Sequence, residues 1–253
     1  MKAFDLVGKT AVVVGGGTGI GFSIAQTLGR AGAAVVISSR SRDAGQRAVA
    51  TMKAEGLEVS FVPIDVTSLA SIDEHVSRVL KSHQRVDVLV NSAGAMSRKP
   101  AEEIEEQDWD WVMDVNAKGV FFTCQRVGRA MISTGKGSII NISSLRSRKM
   151  GPNRSVYAIS KAAVSNLTRA LAYEWGKYGV RVNAIAPGTT ITEFNREHFE
   201  NNPDELARIV STIPLGRPGD VGDYGSAALY LASDASSFVT GQTLFVDGGT
   251  SNC

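Results

Sequence analysis

The chain has 253 residues, of which 43% are hydrophobic and 21% charged, and its formal net charge at pH 7 is +2. These proportions are typical of a soluble globular protein. So small a charge, without a basic run, argues against nucleic acid as a partner. No apolar run approaches the ~20 residues that cross a bilayer. No signal peptide is visible either, so we expect a cytoplasmic protein with no membrane partner.

The cysteines and histidines give no sign of a disulfide framework or a metal centre. The sequence contains two cysteines, Cys124 and Cys253, which suits a reducing compartment. Its three histidines have no ligand spacing with each other or with cysteine. We therefore predict no metal site.

Short apolar runs alternate with amphipathic segments along the chain, a pattern that favours βαβ units and a buried parallel sheet. Strands are predicted at 10–14, 33–39, 59–64, 86–90, 138–142, 180–185 and 243–246. Helices are predicted at 22–30, 43–55, 71–82, 106–115, 119–133, 204–211 and 221–232, and one that contains Tyr157 should run to about residue 177. The expected fold class is α/β: a doubly wound parallel seven-stranded sheet with helices on both faces, in a single domain over residues 1–253.

A parallel sheet of this kind also predicts where a ligand binds. Right-handed crossovers place the crevice at the carboxyl ends of the strands, next to the point where the strand order reverses. The segment at about 189–212 is a long excursion near that edge. We expect it to be a substrate lid, because such segments commonly close over ligand.

A glycine-rich turn joins the first predicted strand to the first predicted helix. It reads Gly15-Gly-Gly-Thr-Gly19-Ile-Gly21. Glycine allows a tight turn and a close approach to a pyrophosphate, which then meets the positive end of the helix. A plain turn would also use glycine, but the strand-turn-helix context favours a dinucleotide site. The predicted cofactor contacts in this turn are Gly15, Thr18, Gly19, Ile20 and Gly21.

The end of the second predicted strand reads Ser38-Ser39-Arg40-Ser41-Arg42. An acid at this position would hydrogen-bond the ribose diol of NAD. Hydroxyls and a guanidinium instead suit the 2′-phosphate of NADP. We predict that Ser39 and Arg40 contact the cofactor and that NADP(H) is preferred. The alternatives are NAD(H) as cofactor and a purely solvent-exposed role for Arg40.

Tyr157 and Lys161 are four residues apart, so in a helix they share one face, and Ser144 precedes the tyrosine by thirteen residues. A phenol titrates near ~10 in water, and a nearby cation lowers that pKa. A pKa of ~7 would require roughly 4 kcal/mol of differential stabilisation. One lysine is not enough for that, so a second positive charge, such as an oxidised cofactor, is expected to help. The alternative interpretation, if this pair is considered alone, is that the two residues occur by chance on a solvated helix face.

In this order and spacing, the motifs resemble the compact, roughly 250-residue type of short-chain dehydrogenase/reductase, and the resemblance spans residues 6–249. The sequence is similar to 3-oxoacyl-thioester reductases, gluconate-type polyol dehydrogenases and tropinone-type ketone reductases. The resemblance implies a Rossmann fold and a homotetramer. It also implies that Asp65 and Val66 contact the adenine. The other cofactor contacts implied by it are Asn91, Ala93, Gly94, Pro187, Gly188, Thr190 and Thr192.

The same resemblance assigns catalytic roles to four residues. Asn116 matches the asparagine that holds a water in the proton relay, and Ser144 matches the serine that binds the substrate oxygen. Tyr157 matches the general acid/base, and Lys161 matches the lysine that binds the nicotinamide ribose and lowers the pKa of the tyrosine. Two departures, Val14 for a threonine and Ser92 for an asparagine, are expected to loosen hydrogen bonding at the cofactor.

The predicted activity is that of a carbonyl reductase or secondary-alcohol dehydrogenase that transfers hydride. The alternatives are an NAD-dependent polyol or sugar-acid dehydrogenase of the same family and a nucleotide-binding regulatory protein. A sugar-nucleotide epimerase or dehydratase would need a larger C-terminal region than this chain has after residue 188.

Two further features concern the partners of the protein. Four basic residues between Ser144 and Tyr157 are either an anion-accepting rim for the small-molecule substrate or ordinary surface charges; they are Arg146, Arg148, Lys149 and Arg154. The predicted helices at 119–133 and 157–177 carry apolar residues on more than one face. Such helices need burial beyond one sheet, which agrees with the homotetramer that the resemblance implies.

Overall fold

The computed structural model describes residues 2–193 and 195–252. Its strands are β1 (Thr10–Val14), β2 (Ala34–Ser38), β3 (Val59–Phe61), β4 (Val88–Asn91), β5 (Gly137–Ile142), β6 (Val180–Pro187) and β7 (Thr243–Val246). Its α-helices are α1 (Gly19–Arg30), α2 (Arg42–Ala54), α3 (Leu69–His83), α4 (Glu106–Met113), α5 (Gly119–Thr134), α6 (Ser155–Trp175), α7 (Arg196–Asn201), α8 (Pro203–Ser211) and α9 (Asp223–Ala232). The strands form one parallel sheet in the order β3-β2-β1-β4-β5-β6-β7, which confirms the predicted fold class.

The sheet is covered on both faces, and its central strands β1, β4 and β5 are buried at every position. Every residue of β1 is buried. Since successive side chains of a strand point to opposite faces, Val13 enters the core beneath α1 and α9, whereas Val12 and Val14 enter the core beneath α3 and α5. Two hydrophobic cores therefore lie on the two faces of one sheet, and the chain forms a single domain around it.

The strand order places the switch point between β1 and β4. β1 pairs with β2 on one side and with β4 on the other, so the connections leave in opposite directions from the carboxyl ends of these two strands. The glycine turn follows β1, Ser92 and Ala93 follow β4, and Ser144 follows β5. These three segments meet at the edge where ligands bind in sheets of this type.

Several observed elements differ from the predicted ones, and helix α1, for example, begins at Gly19 rather than at residue 22. β3 ends at Phe61 rather than at residue 64, although Val62 N–H still donates to the carbonyl of Ile37 (3.1 Å) and Ile64 N–H to that of Ser39 (3.3 Å). The helix predicted at 106–115 stops at Met113, and a π-helical turn over Asp114–Lys118 connects α4 to α5. The short helix α7 lies within the predicted lid, where the sequence pattern predicts no helix before residue 204. Phe194, within the predicted lid, and Cys253, at the end of the chain, lie outside the described residues.

In the part of the chain that the structure describes, no helix combines the length and apolar character that a membrane crossing requires. The same part contains no cluster of three or more histidine, cysteine or acidic side chains that could hold a metal ion.

Candidate active site

A cavity of about 610 Å³ opens at the carboxyl ends of the strands. Nearly all of the predicted site residues line it. Those that do are Gly15, Thr18, Gly19, Ile20, Gly21, Ser39, Arg40, Asp65, Val66, Ala93, Gly94, Ser144, Tyr157, Lys161, Pro187, Gly188, Thr190 and Thr192. The two that do not line it are Asn91 and Asn116, which lie just behind its wall.

The glycine turn forms the wall of the cavity at β1. Gly15 has a φ of 80°, and a Cβ built on it would lie 2.5 Å from the backbone nitrogen of Ala93. A Cβ on Gly21 would collide with the carbonyl of Gly15. No larger residue fits either position, so the backbone itself forms the surface here.

The first helix begins at this turn with its N–H groups uncapped by side chains. Thr18 at the N-cap makes no side-chain hydrogen bond to the first turn, and that turn contains no acidic residue. The exposed N–H groups and the helix dipole therefore present partial positive charge to the cavity. A backbone cradle at a helix N-terminus fits the pyrophosphate of a dinucleotide.

The loop after β2 forms the adenosine end of the cavity. Ser39 Oγ donates to the carbonyl of Ser41 (2.8 Å), and Ser41 Oγ caps α2 by accepting from the N–H of Ala44 (3.3 Å). Arg40 is exposed and, within residues 2–193 and 195–252, forms no ion pair. Hydrogen bonds from Thr67 hold the pKa of Asp65 below its usual range, and the charge of Arg40 acts in the same direction. The loop thus offers an unpaired guanidinium beside the adenosine position.

Asn91 supports the sheet rather than the cavity surface. Its Nδ2 donates to Asn141 Oδ1 (2.9 Å) and to Cys124 Sγ (3.2 Å), and Asn141 in turn donates to Thr168 Oγ1 (3.0 Å). Burial raises the pKa of Cys124 to about 12, so the thiol stays protonated inside this network. The side chain of Asn91 is thus engaged within the sheet, and the cofactor contact of this residue stays a prediction.

Asn116 lies fully buried in the π-helical turn between α4 and α5. Its Oδ1 accepts from the N–H of Ala95 (2.7 Å), and its Nδ2 donates to the carbonyl of Ala95 (2.8 Å) and to Ser160 Oγ (2.9 Å). Both amide hydrogens are therefore already engaged. The side chain ties the segment after β4 to helix α6, which carries Tyr157 and Lys161.

Ser160 is a further residue of the site. Its Oγ donates to the carbonyl of Tyr157 (2.7 Å) and accepts from Asn116 Nδ2. It connects the asparagine to the turn of helix that carries the tyrosine. A serine three residues after a tyrosine in a helix gives no sequence signal of this role.

Tyr157 and Lys161 lie one turn apart on α6, as predicted. Lys161 is 4% exposed, its Nζ donates to the carbonyl of Ile142 (2.8 Å), and it lies 5.7 Å from the centroid of the Tyr157 ring. Burial lowers the pKa of Lys161 to about 8. At neutral pH the ammonium is therefore charged, but it is much more easily deprotonated than a lysine in water.

Without a cofactor, burial outweighs the effects that lower the pKa of Tyr157. Burial raises the pKa of Tyr157 above its usual value, and this effect exceeds the opposing effects of a hydrogen bond from Ser144 and of the charges on Arg146 and Arg154. The cations that stabilise the phenolate are thus two arginines, whereas the ammonium of Lys161 is directed to the carbonyl of Ile142. At neutral pH the phenol is protonated.

The predicted basic rim divides into two parts. Arg146 and Arg154 line the cavity, together with Arg98 from the segment after β4. Arg148 instead lies over the ring of Phe245, and Lys149 Nζ donates to the carbonyl of Thr250 (2.9 Å). Arg98 was missed by the sequence reasoning. Its position just beyond a strand at the switch point was the signal available.

The predicted lid begins at the cavity and returns to it. Thr190 is buried and hydrogen-bonded to the hydroxyl of Tyr224, and Thr192 N–H donates to Asn195 Oδ1 (2.8 Å). Phe199 of α7 and Ile209 of α8 also line the cavity. Helix α8 has no buried residue, so its contact with the rest of the protein is slight.

Comparisons with known proteins agree with this geometry. The chain matches the family model described as Enoyl-(Acyl carrier protein) reductase over residues 15–251. It is 39% identical over 246 residues to the gluconate 5-dehydrogenase of Gluconobacter oxydans (strain 621H), with 97% of this chain and 96% of that protein covered. It is 36% identical over 248 residues to the NAD-dependent glycerol dehydrogenase of Listeria innocua, with 98% and 96% covered.

A solved structure shows the same likeness in three dimensions. The gluconate 5-dehydrogenase from Burkholderia cenocepacia in complex with NADP and tartrate is 38% identical and superposes with a TM-score of 0.96 over 100% of this chain and 98% of that one. These matches extend over both the nucleotide cradle and the Tyr157 end of the cavity. The chain therefore belongs to the short-chain dehydrogenase/reductase family and is an NAD(P)-dependent oxidoreductase that acts on CH–OH and C=O groups.

Proposed function

We propose that this protein is an NADP(H)-preferring oxidoreductase that interconverts a ketone and a secondary alcohol, with Tyr157 as its general acid/base. One observation carries the proposal: a single cavity has a nucleotide cradle on one wall and Ser144, Tyr157 and Lys161 on another. A regulatory protein that only binds nucleotide has no need of the second wall. The family likeness supports the same reading.

The cofactor would be held by the backbone of the glycine turn at its pyrophosphate and by Ser39 and Arg40 at its adenosine end. Asp65 and Val66 would contact the adenine, and Lys161 would contact the nicotinamide ribose. The segment with Pro187, Gly188, Thr190 and Thr192 would fix the carboxamide. When bound, the nicotinamide supplies or accepts hydride, which the side chains of the protein cannot do. The preference for NADP(H) rests on the unpaired guanidinium of Arg40.

The protonated phenol of Tyr157 is suited to the reductive direction. It is an acid placed to protonate the carbonyl oxygen as negative charge develops there, while Ser144 holds that oxygen by a hydrogen bond. In the oxidative direction the phenolate has to accept the proton. The charges of Arg146 and Arg154 favour the phenolate, and the positive charge of an oxidised nicotinamide would act in the same direction.

Asn116 contributes to this chemistry by holding the segment after β4 against helix α6. Because both of its amide hydrogens are engaged by Ala95 and Ser160, a water in the predicted proton relay has to be bound through other atoms of this turn. A π-helical turn shifts the backbone carbonyls out of the regular helical ladder, and such turns occur often at functional sites. We propose that the relay water binds at this turn.

The substrate class that we propose is a small polyhydroxy carbonyl compound of the sugar-acid type. Two of the similar proteins are named gluconate 5-dehydrogenases, and the Burkholderia structure holds tartrate, which is a dicarboxylate. A neutral polyol is the second candidate, favoured by the likeness to a glycerol dehydrogenase.

The experiment that tests this function is a panel of carbonyl compounds assayed with NADPH and NADH in parallel, and of alcohols with NADP and NAD. The panel includes 5-keto-gluconate, a 3-oxoacyl thioester, a neutral ketose and dihydroxyacetone. We expect oxidation of NADPH with the keto-acid, and a higher kcat/KM with NADPH than with NADH. No turnover of any compound with either cofactor would contradict the proposal.

We further propose that the protein assembles as a homotetramer. A groove of about 330 Å³ runs between α5 and α6 on the outer surface. It is lined mostly by apolar side chains, among them Phe121, Ile132, Leu167 and Trp175. An apolar groove between two long helices is the kind of surface that a second copy of the chain covers.

A further inference from the structure

Three guanidinium groups converge on the end of the cavity that contains Tyr157. Arg146 follows Ser144 after β5, Arg154 precedes α6, and Arg98 follows β4. The charges are close enough to interact: Arg146 and Arg98 both act on Arg154, and both Arg146 and Arg154 act on Tyr157. Like charges gathered in this way oppose each other, so the cluster is unfavourable for folding by itself.

The arginines of this cluster are held in place by the backbone of their own loop. Arg146 Nη1 donates to the carbonyls of Met150 (2.8 Å) and Lys149 (3.4 Å), and Arg154 Nη1 donates to the carbonyl of Pro152 (3.1 Å). The guanidinium of Arg146 lies against Gly151, where a Cβ would be 2.5 Å from Nη1. Each guanidinium has five N–H donors, so these bonds orient the group and leave donors available.

No carboxylate neutralises the cluster within the described residues. Arg98, Arg146 and Arg154 take part in none of the ion pairs that the structure contains there. The charge of Glu205 acts on Arg154, but the two form no ion pair, and Glu205 is itself hydrogen-bonded to His198 Nε2 (2.9 Å). Glu193 lines the cavity without pairing with an arginine.

Partial burial makes the arginine cluster still less favourable for folding. It lowers the pKa of both Arg146 and Arg154 from their usual values, which reports that each charge is partly removed from water. Partly buried charges that lack an opposite charge in the protein are found where a ligand supplies it. The phosphates of the dinucleotide are not that ligand, because their cradle follows β1, and β4 separates β1 from β5 in the sheet.

We propose that Arg146 and Arg154, assisted by Arg98, bind an oxyanion group of the substrate and thereby place its carbonyl carbon at Tyr157. The group is a carboxylate, sulfonate or phosphate carried on the same molecule as the reacting carbonyl. This inference rests on the proposed function. It assigns the predicted anion-accepting rim to Arg146, Arg154 and Arg98 and removes Arg148 and Lys149 from it.

The test measures the ratio of kcat/KM for an anionic carbonyl substrate to that for a neutral one. The anionic compounds are a keto-sugar acid, a ketose phosphate and a ketose sulfonate, and the neutral one is the ketose of the same carbon skeleton. Loss of one charge-assisted contact costs about tenfold to a hundredfold in binding. We expect R146Q and R154Q each to lower the ratio by about that factor, mainly through KM. The three anions identify which oxyanion is preferred.

Two further variants separate charge from structure. R148Q removes a charge of the same loop that lies over Phe245 outside the cavity, and we expect the ratio to stay within about twofold of wild type. Gly151→Ala keeps every charge but displaces the guanidinium of Arg146, and we expect it to lower the ratio as R146Q does. Equal losses for anionic and neutral substrates in R146Q and R154Q would overturn the proposal.

A binding measurement keeps this inference distinct from the proposed function. Isothermal titration of tartrate into NADPH-saturated protein needs no turnover. We expect binding to wild type and R148Q, and at least tenfold weaker binding to R146Q/R154Q. Tartrate binding that depends on the arginines, in a protein inactive on every carbonyl tested, would overturn the proposed function and leave the anion subsite standing. Equal tartrate binding by wild type and R146Q/R154Q would overturn the subsite.

Discussion

Replacement of Lys161 by methionine should make the protein more stable at neutral pH and change how its stability depends on pH. The folded protein lowers the pKa of Lys161 from 10.5 to about 8, because the ammonium is removed from water. At ~1.36 kcal/mol per pH unit, this difference corresponds to ~3 kcal/mol of unfavourable burial at pH 7. Methionine fills a similar volume without the charge, at a cost of about 2 kcal/mol for the lost hydrogen bond between the ammonium and the carbonyl of Ile142, so the net gain is about 1 kcal/mol.

The sign of the pH dependence follows from proton counts. Between pH 8 and 10.5 the unfolded chain keeps the proton on Lys161 and the folded chain has released it, so stability in wild type rises with pH through this group. K161M lacks that contribution. We therefore expect the free energy of unfolding of K161M, relative to that of wild type, to fall by about 2 kcal/mol between pH 8 and 10. Cys124 and Tyr157 contribute with the opposite sign at high pH, but both are present in each protein, so the difference cancels them.

The assay is urea unfolding followed by circular dichroism at fixed protein concentration, since assembly makes stability depend on concentration. The free energy of unfolding is measured for wild type and K161M from pH 7 to 10. K53M, which replaces an exposed lysine on α2, is the matched control and should follow wild type at every pH. Parallel profiles for wild type and K161M would refute the claim that Lys161 is held at a lowered pKa.

Two substitutions and two measurements on the wild-type protein test the cofactor site, the lid and the assembly. Arg40→Ala should weaken NADPH binding by about tenfold to a hundredfold and leave NADH binding within about threefold, because only NADPH carries the 2′-phosphate; equal losses in fluorescence titrations would contradict the assignment. Gly21→Ala should weaken binding of both nucleotides at least ~10-fold because the new Cβ meets the Gly15 carbonyl, whereas Gly176→Ala, with open space around it, should bind as wild type does; normal binding by Gly21→Ala would count against the cradle. Trypsin should cut the segment 189–212 more slowly once NADPH and tartrate are bound, as a closing lid requires, and unchanged cleavage would refute the lid. Light scattering should give four times the chain mass, and a monomer at micromolar concentration would refute the tetramer.

The fold could be predicted almost completely from the sequence, and particular residues show why. The run Thr10-Ala-Val-Val-Val14 followed by glycine is buried on both sides, so hydrophobicity alone indicated a central parallel strand. Position along the chain then brought the glycine turn, Ser144 and Tyr157 to the same edge of the sheet. Local signals were less reliable at the ends of elements, since β3 ends at Phe61 rather than at residue 64.

The electrostatics of the site could not be predicted in the same way. The spacing of Tyr157 and Lys161 indicated a shared helix face, but it did not show that the ammonium is directed to Ile142 or that burial dominates the tyrosine pKa. Likewise, four basic residues between Ser144 and Tyr157 looked equivalent in the sequence. The path of the loop decides that Arg146 and Arg154 enter the cavity and that Arg148 does not. Such outcomes depend on tertiary contacts, which sequence spacing does not contain.

The most direct test of the central claim is the turnover of Tyr157→Phe with its cofactor bound. Phenylalanine keeps the ring and removes only the hydroxyl that we propose as the proton donor. Tyr178→Phe, an exposed position, is the control. With NADPH and a carbonyl compound that wild type reduces, we expect kcat for Tyr157→Phe to fall by at least ~10²-fold while NADPH binding by fluorescence titration changes less than about threefold. Wild-type turnover by Tyr157→Phe would contradict the account.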